Sequence, residues 1–331
     1  MMTAPITPNQ VIHADKVTAI VELACRAPSL HNSQPWKWLF DHGELQLFAD
    51  HSRVGRHTDV TGNEVIMSCG AALDHLQVAA RAAGWKTHVE RYPDAGNRDH
   101  LATITFHSAG PADDHELALR DAISTRHTDR LPMATPEPWN DMEQTLRNVL
   151  RGTVTELDVI DDSGRPALAD ASRRSEAQRR DDASYRYELL WWTHHVGADD
   201  GIPPAALGSP TEVSRVDVAR EFPSYTADDR RPGVDRDHSN VLVLSTFDDS
   251  RMNILRCGEA LSRVLLECTA ARFSTCPLTH MMEVHASREA VRRLTGRRAQ
   301  PQALIRVGLA TGDEAGARTP RRPVSDVLTV R

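Results

Sequence analysis

No apolar run in the 331 residues approaches the ~20 that a membrane-crossing helix needs. The N-terminal stretch MMTAPITPNQVIHADK has no basic region followed by an apolar one. No signal peptide is therefore expected, and the chain reads as cytoplasmic. Cysteine is sparse. Cys25, Cys69, Cys257, Cys268 and Cys276 are scattered without a close pair, an odd count that points to free thiols rather than a disulfide framework. Metal-ligand spacing is missing, since His194, His195 and His280 lack suitable partners. There is no GxGxxG and no GxxxxGK followed by Ser or Thr, so neither a dinucleotide fold nor a P-loop is supported. His31 lies too close to Ser29 in sequence to read as half of a hydrolase triad. A net charge of −7, with acids and bases interspersed, argues against nucleic acid as the main partner.

What is present is an ordinary globular composition, 40% hydrophobic, in a chain long for one core and natural for two halves. Apolar spacing predicts a helix over 17–26 that Pro28 cannot continue. KWLF and ELQLFAD around DHG predict a hairpin at 37–49. A helix follows Asn63 and stops near Gly84, and two alternating strands come next. The second part opens on a helix capped by Asp113 or Asp114. It continues with a helix over 139–151, a strand (TVTELDVID) and one long charged helix over 165–192. The region 193–240 is rich in Gly, Pro and Asp and has no sustained period, which suggests a packed lid. A strand (VLVLSTF), a helix over 251–273 and a strand (ALIRVGLA) complete the pattern.

One internal repeat stands out. Cys69-Gly70-Ala71-Ala72-Leu73 matches Cys257-Gly258-Glu259-Ala260-Leu261, and in the same register Ala82-Ala83 meets Ala270-Ala271 and Trp85 meets Phe273. The glycines suit helices whose backbones approach closely. Two copies of one fold in a chain are expected to pack as a pseudo-dimer.

Two stretches carry chemistry. In ISTRHTDR, Arg126, Thr128 and Arg130 stand at alternate positions, so an extended segment puts all three on one face. Two guanidinium forks and a hydroxyl suit a phosphate. At the C-terminal end, Arg318, Arg321 and Arg322 surround two prolines and offer a further cation to the same phosphate. The other stretch is RAPSLHNSQPWKW at 26–38, where polar side chains follow directly on an apolar helix. Trp36 and Trp38 share one face and are expected in the core, and Pro35 biases Gln34 to an extended conformation.

The run Ala27-Pro28-Ser29-Leu30-His31-Asn32-Ser33-Gln34-Pro35-Trp36 resembles the APSxxNxQPW signature of FMN-dependent nitroreductases. Arg126 to Arg130 is similar to that family's flavin-phosphate motif, and Cys276-Pro277-Leu278-Thr279 falls where the family has a turn facing flavin N5, with Thr279 in place of the usual acidic residue. The arrangement looks most like the mycobacterial Acg family, dormancy-associated chains with two nitroreductase-like halves. The resemblance implies an α+β fold with antiparallel-rich sheets flanked by helices. Two nitroreductase-like halves, 1–110 and 111–331, would pack as an intramolecular pseudo-dimer, with a lid-like insert at about 193–240. The first half keeps APSxxNxQPW without a phosphate motif, and the second keeps RHTDR without APSxxN, so one composite FMN site per chain is implied. Its residues would be Pro28, Ser29, Leu30, His31, Asn32, Arg126, Thr128, Arg130, Pro277, Leu278, Thr279, Arg318, Arg321 and Arg322, with no side chain needed as catalytic acid or base. The implied activity is an oxidoreductase using NAD(P)H and a small electron acceptor, in a monomer mimicking a homodimer. The alternative is an FMN-sequestering protein whose insert excludes nicotinamide.

Overall fold

The computed structural model describes residues 11–194, 199–223, 225–312 and 319–331. Helix α1 (Ala14–Ala24) leads through the 27–35 segment into strands β1 (Trp36–Asp41) and β2 (Glu44–Ala49). The hairpin turns on His42 and Gly43, both at positive φ, as a tight two-residue turn requires. Helix α2 (Asn63–Ala82) follows, then β3 (Trp85–Arg91), β4 (His100–Ser108), α3 (Asp114–Thr125) and α4 (Asn140–Val149). Asp113 caps α3 in a capping box with Glu116. The chain continues through β5 (Thr155–Ile160), α5 (Arg165–Arg179), α6 (Ala183–His194), α7 (Pro210–Ser214), β6 (Asn240–Thr246) and α8 (Arg251–Ala270). It ends with β7 (Ser274–Leu278), α9 (His285–Thr295), β8 (Gln300–Gly308) and β9 (Leu328–Val330).

Three sequence expectations need correction. The long helix over 165–192 is two helices, because the Asp182 carboxylate accepts from the N–H groups of Ser184 and Tyr185 and starts a new helix there. Helix α9, amphipathic and arginine-rich, went unread between the last two expected elements. Gln34 is not extended but at φ 51, held there by its backbone N–H on the Ser29 hydroxyl and by side-chain bonds to Asp199 and Arg322.

The strands form two sheets, β3-β4-β2-β1-β9 and β5-β6-β8-β7. Exchanging β1, β2, β3 and β4 for β5, β6, β7 and β8 turns the first order into the second, and all these pairings are antiparallel. Both β2–β4 and β6–β8 carry a register shift. The helices α2 and α8 cross where the repeat placed its glycines. A Cβ on Gly70 would sit 2.1 Å from the Leu255 carbonyl oxygen, and one on Gly258 2.1 Å from that of Met67. Both helices end at matching alanines, followed by Gly84 and Arg272, each at positive φ. The apolar core is continuous across this crossing, with Trp36 and Trp38 buried in it as expected. The C-terminal segment returns to the first sheet, where β9 pairs parallel with β1. That return carries Arg321 past the end of α1.

Candidate functional site

Four stretches far apart in sequence meet at one cavity beside the α2–α8 crossing. Its wall includes Pro28, Ser29, Leu30, His31 and Asn32, then Arg126, Thr128 and Arg130, then Pro277, Leu278 and Thr279, and finally Arg321. Arg318 lies outside the described residues. Arg322 does not line the cavity: its side chain donates to the Asp326 carbonyl, and its backbone N–H donates to Gln34 Oε1 at 2.9 Å.

The 28–34 segment is held in costly local geometry. His31, Asn32 and Gln34 have φ of 50°, 59° and 51°, in the left-handed region that non-glycine residues avoid. Such positions cost about 1–3 kcal/mol each and persist only where the surroundings fix them, typically at sites. Here the Ser29 hydroxyl accepts from the Gln34 N–H at 3.0 Å, and Leu30 N–H donates to the Ser68 hydroxyl of α2 at 3.2 Å. The His31 ring is buried, yet neither of its nitrogens has a partner among the described residues. Burial, with Arg220 and Arg130 close by, keeps that imidazole neutral well below its usual range.

The 126–130 segment is zipped to the start of β7. Thr128 bridges Thr275 in parallel sense, and Asp129 N–H donates to the Thr275 carbonyl at 2.9 Å. The alternation then works as the spacing requires. Arg126, Thr128 and Arg130 face the cavity while Asp129 points away, pairing with Arg231 at 2.7 Å. Arg126 is buried and makes one long bond, Nη2 to the Arg26 carbonyl at 3.4 Å; Nε and Nη1 have no partner among the described residues. Arg321 donates to the carbonyls of Cys25 and Arg26, both at 3.0 Å. No carboxylate among the described residues pairs with either guanidinium. Burial and the neighbouring Arg26 push Arg126 down to about 10; burial, Arg126 and Arg26 push Arg321 down to about 9. Each buried donor left unmade costs about 1–3 kcal/mol. A buried Arg126 with spare donors, beside the part-buried Arg321 of the same sign, fits an anion with several acceptor oxygens, such as a phosphate.

The far wall comes from the insert. Asn32 Nδ2 donates to the Gly201 carbonyl at 3.1 Å and to that of Pro320 at 3.0 Å, Gln34 Nε2 to that of Asp199 at 2.7 Å, and Arg53 pairs with Asp200. Arg130 reaches the Ala206 carbonyl at 3.3 Å and lies over the Phe222 ring, 5.4 Å from its centre. Ile202, Leu207, Arg220, Phe222 and Tyr225 line the cavity from this side. Of the expected 193–240 region, residues 195–198 and 224 lie outside the described residues.

Behind the insert sits a buried polar cluster. Arg220 pairs with Glu283 and donates to the Tyr185 hydroxyl at 2.6 Å, and the Ser172 hydroxyl meets His280 Nε2 at 2.9 Å. Burial pushes the nearby Glu176 carboxyl up to about 7. An acid with a raised folded pKa binds its proton more tightly in the native state. Stability therefore falls as pH rises from the unfolded value of about 4.5 through about 7. The Tm of Glu176→Gln, relative to wild type, should accordingly climb across that window; a constant difference in thermal melts would exclude the assignment.

Sequence reading missed several lining residues. Glu64, Met67, Ser68 and Ala71 of α2 share one face at helical spacing, Leu261 belongs to α8, and Arg306 of β8 is fully buried on Asp237 at 2.8 Å. The repeat identified α2 and α8 as the contact, but nothing in the sequence said which face opened on a cavity.

No family model matches the sequence. The chain is 47% identical over 325 residues to the Mycobacterium tuberculosis protein named "Putative NAD(P)H nitroreductase acg", covering 98% of both chains. It is 35% identical over 326 residues to "Putative NAD(P)H nitroreductase Rv3131" of the same organism, covering 95% of this chain and 91% of that one. A solved structure of the FMN-dependent nitroreductase NfnB from Mycobacterium smegmatis, in complex with NADPH, is similar over 64% of this chain and 97% of its own. The TM-score there is 0.40, at 16% identity. With nearly half of its residues identical across almost the full length of both chains, the protein belongs to the Acg family of nitroreductase-like proteins.

Proposed function

We propose that the chain binds one FMN in this cavity and acts as an NAD(P)H-dependent oxidoreductase toward a small electron acceptor. The observation that carries the reading is the buried Arg126 with unpartnered donors beside the part-buried Arg321, neither paired with a carboxylate among the described residues, facing the strained 28–32 segment across one space. Arg126, Thr128 and Arg321 would hold the phosphate, with Arg130 beside them. Ser29, His31 and Asn32 would meet the polar groups of the ribityl chain and ring edge, and the Pro277–Thr279 backbone would face the ring. Bound FMN supplies the redox chemistry, carrying two electrons from nicotinamide to the acceptor. The names of the Acg-type relatives support the activity.

The same reading takes the chain as two nitroreductase-like halves, 1–110 and 111–331, forming a monomer that mimics a homodimer. One observation supports a single site. In the 188-residue register of the repeat, Thr279 falls on Arg91 and Ala71 on Glu259. Arg91 and Glu259 make a bidentate pair, at 2.8 and 2.6 Å, across the mirror-image position. In this reading the two long side chains would close the counterpart of the open cavity.

The bonds from Asn32, Gln34, Arg53 and Arg130 to the insert favour a second reading, in which the insert is a lid and FMN is sequestered with little turnover. Nicotinamide must stack within about 3–3.5 Å of the flavin for transfer. Anaerobic mixing with NADPH separates the two. Bleaching at a useful rate supports the oxidoreductase. Bleaching by dithionite alone supports sequestration, and protein that takes up no FMN removes both.

If the insert holds FMN in, breaking one fastening should let it out faster. Arg53→Ala removes a partly buried ion pair worth up to about 1 kcal/mol, so FMN release should quicken by up to roughly fivefold. An unchanged release rate in a stopped-flow dilution would show that the insert does not limit exit.

A further inference from the structure

We propose that Glu64 is the proton donor of the cavity, supplying the electron acceptor with the proton that accompanies its two-electron reduction. The proposal rests on the oxidoreductase reading above. Glu64 stands in the first turn of α2, on the stripe formed with Met67, Ser68 and Ala71. It is the one carboxylic acid among the described residues of the cavity wall, and it is 8% exposed. No arginine, lysine or histidine among the described residues makes an ion pair with it.

The groups facing Glu64 come from three directions. From the loop before α2, Asp59 lies close, its own carboxylate tied to the Val65 N–H at 2.9 Å. From the chain after β7 come the Thr279 hydroxyl and the acid Glu283. From the insert comes Arg220, a favourable charge already paired with Glu283 and bonded to Tyr185. Burial, then the two acids, oppose ionisation, and the committed Arg220 and the Thr279 hydroxyl favour it less strongly, so the carboxyl is held well above its usual range. A neutral acid of this kind has an O–H to give. Thr279 stands where the family resemblance leads one to expect an acid, and the carboxyl that meets it comes from α2 instead.

A quinone-class acceptor becomes a hydroquinone by gaining a hydride and one further proton. Reduced FMN, when bound, would supply the hydride with both electrons and be oxidised in turn. The proton leaves Glu64: its O–H bond breaks and one forms at the quinone oxygen. The carboxylate then regains a proton from solvent.

The test compares wild type with Glu64→Gln and Glu64→Asp, each with its flavin content measured first. The infrared difference between wild type and Glu64→Gln at neutral pH should contain a protonated-carboxyl band, and the same difference taken in a Glu176→Gln background, where the carboxyl raised to about 7 is gone, should keep it. Protein reduced with dithionite and mixed with a soluble benzoquinone should reoxidise about 10²- to 10⁴-fold more slowly in Glu64→Gln, the usual loss with a general acid, and Glu64→Asp should recover part of the rate. A difference spectrum without such a band, or reoxidation as fast as wild type, overturns the proposal. A wild type that takes up no FMN overturns the parent reading and this one together. The band needs no flavin, so the two failures are told apart.

Discussion

Arg126→Ala should weaken FMN binding by about 2–5 kcal/mol, the usual cost of truncating one partner of a buried charge contact. That is a loss of roughly thirty- to several-thousand-fold in Kd. The reasoning is geometric. Arg126 has two donors without partners and one long bond, so its place in the apoprotein is not explained by what it touches there. Its neighbour Arg321 carries the same sign and is pushed down by burial and by Arg126. Removing Arg126 therefore relieves repulsion in the free protein while removing attraction in the complex. The apoprotein should melt no lower than wild type, even as the FMN titration, followed by flavin fluorescence, shifts to much higher concentration. Arg126→Lys keeps the charge without the fork and should lose less. Unchanged affinity in Arg126→Ala would remove the phosphate role of the 126–130 segment.

Gly258→Val should destabilise the fold by more than about 3 kcal/mol. Overpacked cores typically lose about 1–3 kcal/mol when neighbouring side chains can yield. Here the added Cβ meets backbone on the facing helix: the Met67 carbonyl oxygen at 2.1 Å and carbon at 2.9 Å, and Gly70 Cα at 3.0 Å. No rotamer change relieves such a clash, so α2 and α8 must separate. Both line the cavity, through Met67, Ser68, Ala71 and Leu261, so FMN binding should fall along with the denaturant midpoint. Gly233→Ala is the control, since a Cβ there meets nothing within 4 Å. A Gly258→Val protein with a wild-type midpoint would mean that close backbone approach does not set this crossing.

Much of this arrangement is legible in the chain itself because it rests on short-range rules. Pro28 ends a helix, a glycine turn closes a hairpin, and alternation puts Arg126, Thr128 and Arg130 on one face. The repeated Cys-Gly pair announced the crossing, since only a residue without a Cβ lets two backbones touch. The errors came where a side chain outweighed a local tendency. Gln34 bonds Asp199 and Arg322, residues distant in sequence, and those bonds outweigh the bias that Pro35 imposes. Asp182 restarts a helix that composition alone would have continued. Glu64 was invisible as a cavity residue because its burial depends on the insert and on β7, neither of which its own neighbours in sequence report. Arg322 sits beside Arg321 in a basic run, and only the path of the chain toward β9 decides which of the two faces the cavity.

The central idea is that residues 28–32 and 126–130 close on a single ligand between them, while the mirror-image space is filled by Arg91 and Glu259. The most direct test is the ratio of bound FMN to protein at saturation, measured by equilibrium dialysis and flavin absorbance. One FMN per chain in wild type, lost in Arg126→Ala, is the predicted result. Two per chain, or none, would contradict it.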